Sequence, residues 1–157
     1  MRIRRSVVLP LALAAAALFS SSVAAVTRGT PAEASAMLQQ AVAHYKSVGR
    51  RQALADFTAG KAPFRDRDLY VFCIGADRTI LANGGYPTFV GTSADALRDV
   101  EGNALGKAIW SAAAGKDDGS IQYRLPNPAT GRVELKTTHY HKVAPDLVCG
   151  VGAFNPL

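Results

Sequence analysis

The chain has 157 residues, of which 48% are hydrophobic and 19% charged, and its formal net charge is +6. This length accommodates one domain, and the composition excludes a disordered, collagen-like or polytopic membrane protein. The excess of positive charge would suit nucleic-acid binding, but three of the arginines stand among the first five residues.

The N-terminus has the organisation of a secretory signal peptide. The three arginines precede an apolar run over residues 7–19, and small residues follow it as far as Ala24 and Ala25. A basic segment, a short apolar segment and a small-residue cleavage site are the three parts of such a signal. Loss of residues 1–25 would leave 26–157 as a single domain of 132 residues and would lower the net charge from +6 to +3.

We therefore expect an exported protein, periplasmic or extracellular, that binds no nucleic acid and has no membrane span after cleavage. The run 7–19 is shorter than the roughly 20 residues of a transmembrane helix, which favours cleavage over an uncleaved anchor. Arg4-Arg5 suggests a twin-arginine signal, but the residues that follow match it poorly, and the general secretory route is favoured.

Two helices are predicted at the start of the mature chain. Thr30, Pro31 and Glu33 form an N-terminal capping sequence, and apolar residues recur at helical spacing as far as Val48. Gly49 ends this run, and a shorter amphipathic helix is predicted over 50–57. Each helix has one apolar face, which must pack against the remainder of the domain.

From Asp68 onward the pattern predicts strands. A hairpin of 69–74 and 79–82 is followed by a long irregular connection, 83–103, and a short helix that carries Trp110. Three consecutive strands complete the chain at 120–125, 133–143 and 147–154. This order predicts an α+β domain with a five-stranded antiparallel sheet and helices on one face.

The connection 83–103 is a candidate binding or lid segment, since irregular connections of this length are often functional. Phe89, Val90 and Leu97 are predicted to anchor it inward. A surface loop held by the same apolar residues is the alternative.

The two cysteines, Cys73 and Cys149, both lie in apolar, strand-like segments. An even number of cysteines in an exported protein favours a disulfide, here between an early strand and the last one. Two buried free thiols that act as small hydrophobic groups are the alternative.

The segments of residues 31–154 resemble, in order and spacing, the single cache domain family of extracytoplasmic small-molecule sensors. Such domains occur in bacterial chemoreceptors and kinases and also as free exported proteins. The resemblance is carried by Val48-Gly49, Ala53-Leu54, Phe64, Leu69–Phe72, Asp77–Ala82, Val90-Gly91, Leu97–Gly102, Tyr123–Pro128, Lys136–Tyr140 and Val148–Gly152.

This resemblance implies a PAS-like sheet in which the five strands, numbered in chain order, lie in the order 2-1-5-4-3. It also implies a ligand pocket between the sheet and the connection with its helix. The first and last strands become neighbours in this order, which brings Cys73 near Cys149.

Candidate ligand contacts begin with the strand 133–143, where alternation places Lys136, Thr138 and Tyr140 on one face. An ammonium group and a phenol on one face suit a small carboxylate, and the resemblance points to Lys136 and Tyr140. A solvated lysine beside a structural tyrosine is the alternative. Further candidates are Tyr70, Phe72, Trp110 and Tyr123 as pocket walls, with Asn83 and Tyr86 as contacts from the connection.

Two departures from the family pattern border the expected pocket. Asn83-Gly84 stands where the family often has His-Pro, and Ile121 stands where it often has Trp. A ligand unlike those of better-matched members, or an interaction module without a ligand, therefore remains open.

His139 and His141 support a hypothesis of another class, an exported metal-binding protein. His-x-His on a strand places two imidazoles on one face, a spacing found in zinc and copper sites, although two ligands do not complete a structural site. The sequence contains no nucleophile elbow, phosphate loop or zinc-protease motif, so we expect neither an enzyme nor a cofactor.

The sequence thus predicts an exported sensor or binding domain for a small organic anion, of the carboxylate or amino acid class. We expect it to serve signal transduction or chemotaxis through a separate partner, such as a membrane receptor or kinase.

Overall fold

Residues 28–155 are described by the computed structural model. The predicted signal peptide, 1–25, lies outside these residues. Within them, no helix combines the length and the apolar character that crossing a membrane requires.

The N-terminal helices α1 (Pro31–Val48) and α2 (Arg50–Ala59) begin and end at the residues that mark helix boundaries. The Thr30 hydroxyl accepts the backbone N–H of Glu33 at 3.2 Å, and the Glu33 carboxylate accepts the N–H of Thr30 at 2.7 Å. This reciprocal capping box confirms the predicted start of α1. Gly49 separates the helices with a φ of 81°, a conformation that glycine adopts readily.

The sheet contains six antiparallel strands. They are β1 (Arg65–Asp66), β2 (Leu69–Gly75), β3 (Ile80–Asn83), β4 (Asp118–Pro126), β5 (Val133–Ala144) and β6 (Leu147–Phe154). The five predicted strands lie in the order β3-β2-β6-β5-β4, as the family resemblance implied, and β1 also pairs with β2. The unpredicted β1 is two residues long, and Arg67, with a φ of 52°, turns the chain from it into β2.

The connection between β3 and helix α3 (Leu105–Gly115) contains two 3₁₀ turns, Pro87–Phe89 and Ala94–Ala96. Phe89 and Leu97 pack inward as predicted, whereas Val90 is 39% exposed, so its prediction as an inward anchor was wrong. The 3₁₀ turn ends just before Val90 and leaves this side chain directed to solvent.

Helices cover both faces of the sheet. On one face α1 and α2 pack over Leu69, Val71 and Val151, and on the other α3 packs over Ile74 and Val148. The prediction of helices on one face was therefore incomplete. Its correction has a simple reason: every residue of β6 is buried, and a strand buried along its whole length requires cover on both sides.

The predicted disulfide is present between Cys73 and Cys149, which are directly opposite each other on β2 and β6. It lies on the face covered by α1, within the larger hydrophobic core. The bridge therefore joins two adjacent central strands that are 76 residues apart in the chain.

Candidate functional site

A cavity of about 400 Å³ lies on the α3 face of the sheet, beneath the connection and the first turns of α3. This volume is within the usual range for sites that bind small molecules. The cavity occupies the position that the family resemblance implied, between the sheet and the connection.

Most of the predicted ligand contacts line this cavity: Tyr70, Phe72, Asn83, Tyr86, Tyr123 and Lys136. The structure adds a charged group that was not predicted, which comprises Arg65, Arg67, Asp68 and Arg98. It also adds the apolar residues Ile74, Ile80, Leu105 and Ile109, which line the cavity together with the predicted inward anchors Phe89 and Leu97.

Tyr140 and Trp110 lie outside the cavity. Tyr140 shares the sheet face of Lys136, but its ring is buried beneath α3 with Ile109, and Trp110 packs against the same cluster. Four residues of strand separate Tyr140 from Lys136 by roughly 13 Å, which places the phenol under the helix instead of at the opening. The prediction that Lys136 and Tyr140 contact one carboxylate together was therefore wrong. Of these two residues, only Lys136 lines the cavity.

The two departures from the family pattern have different surroundings. Asn83 lines the cavity, whereas Ile121 packs against the apolar cluster beneath α3 and is not part of the lining.

Lys136 is the central polar group of the cavity and is only 8% exposed. Its Nζ lies 4.7 Å from the ring centroid of Phe154 and 5.5 Å from that of Tyr70, distances at which a cation is attracted to an aromatic face. Among the ion pairs within residues 28–155, none includes Lys136. Burial lowers the pKa of Lys136 to about 8, against the opposing influence of Asp68.

Glycines in β6 make room for these side chains. A Cβ atom on Gly152 would stand 2.6 Å from Cε of Lys136, and one on Gly150 would stand 2.6 Å from Cζ of Phe72. Both glycines lie on the cavity face of a strand that is otherwise rich in larger residues. A Gly-x-Gly pattern inside a buried strand is a sequence signal for close approach of this kind.

Two phenols, those of Tyr70 and Tyr123, belong to the cavity wall. Burial raises the pKa of Tyr70 and of Tyr123, so both hydroxyls remain protonated at neutral pH. The Tyr123 hydroxyl lies 2.5 Å from Oγ1 of the fully buried Thr138, which fixes its position.

Asn83 holds the start of the connection in place. Its Oδ1 accepts the backbone N–H groups of Gly85 at 3.1 Å and Tyr86 at 2.7 Å. This Asx-type turn positions Tyr86, whose ring meets that of Tyr70 edge to face at a centroid distance of 5.6 Å.

Positive charge predominates among the residues that line the cavity. Arg67 is paired with Glu33 and Asp66, but the described ion pairs include neither Arg65 nor Arg98. Among the described residues that line the cavity, Asp68 is the only acidic one, and it accepts the backbone N–H of Gly29 at 2.6 Å. The resulting potential favours an anion.

His139 and His141 lie on the opposite face of the sheet, in a groove beside α1. Their cross-strand neighbours on β4 are Ser120 and Asp118. Within residues 28–155 there is no group of three or more His, Cys, Asp or Glu side chains arranged to hold a metal ion.

The fold is similar to that of chemotaxis sensor domains. A methyl-accepting chemotaxis protein from Vibrio parahaemolyticus matches with a TM-score of 0.63, over 78% of this chain and 86% of that chain. A periplasmic sensor domain of a chemotaxis protein gives 0.57, over 77% and 87%. A Cache chemosensory domain described for its carboxylic acid recognition gives 0.56, over 77% and 85%. Sequence identity is 18% in each case, so these similarities concern the fold.

The assignment to a family rests on the sequence, not on the similarity of fold. No curated protein matches the chain. The profile of the family described as Single Cache domain 2, however, matches residues 27–154, which is nearly the whole of the predicted mature domain. This match confirms the resemblance found in the order of the sequence segments, and the chain belongs to the single Cache domain 2 family.

Proposed function

We propose that this protein is an exported sensor domain that binds a small organic anion, a carboxylate in particular, and acts by binding rather than catalysis. The observation that carries the proposal is the ammonium group of Lys136, held in an aromatic cavity without a carboxylate partner among residues 28–155. A charge removed from water without a partner is costly, and a bound anion would compensate it.

The surroundings of Lys136 supply the other contacts that a carboxylate needs. The phenols of Tyr70 and Tyr123 are protonated and lie in the same cavity, and a phenol O–H directed at the carboxylate would add direction to the attraction of the ammonium. Arg65 and Arg98 add positive charge to the lining. The described recognition of carboxylic acids by a Cache domain of the same fold supports this ligand class over amines.

The proposed role is in signal transduction or chemotaxis, through a separate membrane receptor or kinase. The similar folds of chemotaxis sensor domains support it. The connection 83–103, which contributes several residues to the cavity lining, is the segment through which occupancy would be transmitted, since a ligand that binds one arrangement better shifts the population toward it. The predicted signal peptide supports export to the compartment where such domains sense their ligands.

A thermal-shift screen of the purified protein against carboxylates, amino acids, amines and divalent metals tests the proposal. We expect stabilisation by carboxylates, its loss in Lys136→Met, and its retention in Lys46→Met, which removes an exposed lysine of α1 on the other face of the sheet. Stabilisation by metals alone would favour the His139 and His141 hypothesis. A flat profile would favour an interaction module.

A further inference from the structure

The cavity has two chemically different ends, arranged along the strand direction. Lys136 pairs with Phe154 across β5 and β6, whereas Phe72 pairs with Gly150, four residues earlier in β6. At about 3.4 Å per residue, these two rows lie roughly 13 Å apart. The Lys136 side chain reaches over Gly152, which lies midway between the two rows, so the body of a ligand bound at the ammonium meets Phe72 within a shorter distance.

The end beyond Phe72 is apolar. Ile74, Ile80 and Ile109 line it, and each is no more than 3% exposed. Phe89 and Leu97 close it from the connection and pack against the same cluster. The side chains of this cluster that line the cavity are all apolar, so they offer a ligand apolar surface to bury and no ionic partner.

The volume of the cavity exceeds what the smallest carboxylates fill. A cavity of about 400 Å³ is in the range of sites that enclose drug-sized ligands, whereas acetate has only four non-hydrogen atoms. An acid of two or three carbons at Lys136 would leave the isoleucine end in contact with water. Each methylene that covers this surface raises affinity roughly fourfold.

We infer that the ligand is a monocarboxylate with a bulky apolar body, an aryl or branched alkyl group. Its carboxylate meets Lys136, and its body occupies the end lined by Phe72, Ile74 and Ile109. This inference rests on the proposed function, because it uses Lys136 as the anion site. The aromatic lining at Tyr70 and Phe72 suits a flat ring, since aromatic pairs gain more than their buried area alone provides.

Isothermal calorimetry with four probes separates the charge from the body: acetate, hexanoate, 3-phenylpropionate and the uncharged 3-phenylpropanamide. We expect 3-phenylpropionate to bind at least a hundredfold more tightly than acetate, with hexanoate between them, and the amide to bind at least tenfold more weakly than its acid. Acetate binding as tightly as 3-phenylpropionate would overturn the apolar-body inference and leave the proposed function standing. An amide that binds as tightly as its acid, or no binding by any carboxylate, would overturn the proposed function.

Two variants locate the body of the ligand. Leu97→Asn alters a partly buried residue of the connection, and Ile109→Ala shortens a side chain of α3; circular dichroism and the melting temperature establish that each variant is folded. In whichever variant folds, we expect affinity for 3-phenylpropionate to fall at least fivefold while affinity for acetate changes less than twofold. Equal losses for both acids would contradict the assignment of this end to the apolar body.

Discussion

Gly152 lies against the side chain of Lys136, so close that a Cβ atom there would stand 2.6 Å from Cε of the lysine and 2.5 Å from Oγ1 of Thr138. Any larger residue at position 152 would therefore displace the ammonium group of Lys136. Lys136 is able to lie flat in the cavity because the neighbouring strand has no side chain at this point.

Gly152→Ala should displace the lysine and weaken the binding of carboxylates at least tenfold. The added methyl group overpacks a buried strand, so we also expect a loss of about 1–3 kcal/mol in the free energy of unfolding. Denaturant titration and calorimetry measure the two effects. Gly115→Ala is the matched control, because a Cβ atom there meets nothing within 4 Å. Unchanged affinity in Gly152→Ala would contradict the claim that Gly152 is needed to position Lys136.

Carboxylate binding should weaken as pH rises through the pKa of Lys136, which is about 8. At pH 9 most of the free protein has lost this positive charge, so affinity should be about tenfold lower than at pH 7. Calorimetry at the two pH values measures the change, and Lys136→Met should show no such dependence. An affinity that is the same at pH 7 and pH 9 would contradict a charged contact.

The same group affects the stability of the free protein in the opposite direction. The folded pKa, about 8, lies below the ordinary lysine value of 10.5, so between these values the unfolded chain binds more protons than the folded one. The contribution of Lys136 to the free energy of unfolding therefore rises with pH across this window. Denaturant titrations of wild type and Lys136→Met from pH 7 to pH 10.5 isolate this contribution. A difference between their free energies of unfolding that stays constant with pH would count against the lowered pKa.

The disulfide should make a large contribution to stability. A bridge that closes a loop across 76 residues contributes about 4 kcal/mol through the entropy of the unfolded chain. Replacing both Cys73 and Cys149 with alanine should lower the free energy of unfolding by about this amount, measured by denaturant titration. In the wild type, a thiol assay on denatured, unreduced protein should find no free thiol; two titratable thiols would contradict the bridge.

Glu134 should stabilise the loop that brings Asn127 to the cavity. Its carboxylate accepts hydrogen bonds from Thr130 at 2.5 Å, Asn127 at 2.8 Å and Arg28 at 2.7 Å, and the first of these contributes most to lowering its pKa. A lowered carboxyl pKa gives stability above the unfolded value of 4.5 that is lost as the pH falls through the folded pKa. Glu134→Gln should therefore flatten the acid limb of the stability curve, which thermal melts from pH 3 to pH 7 would show. An acid limb as steep as that of the wild type would exclude this role.

Much of the fold could be predicted because local rules and the global fold agree. The capping box at Thr30 and Glu33 and the stop at Gly49 are determined by short-range chemistry, and the structure confirms them. The strand β1 could not be predicted, because its two residues carry no alternating pattern and its pairing depends on the turn at Arg67.

The site residues that lie on strands could be predicted from the sequence, whereas most of those whose position depends on α3 or on the connection could not. Alternation along β5 placed Lys136 and Tyr140 on one face, but α3 divides that face into an open and a covered part, and the position of a helix on a sheet is a tertiary property. Arg98 lies in the irregular connection, where no periodicity relates sequence to position.

The most direct test of the account is the pKa of Lys136, measured by NMR from the ¹³Cε shift of labelled lysine in the free protein and with 3-phenylpropionate bound. The Lys136→Met variant assigns the resonance. If the ammonium binds the carboxylate, its pKa should be near 8 in the free protein and at least one unit higher in the complex. A bound ligand that leaves this pKa unchanged would contradict the claim that Lys136 is the anion site.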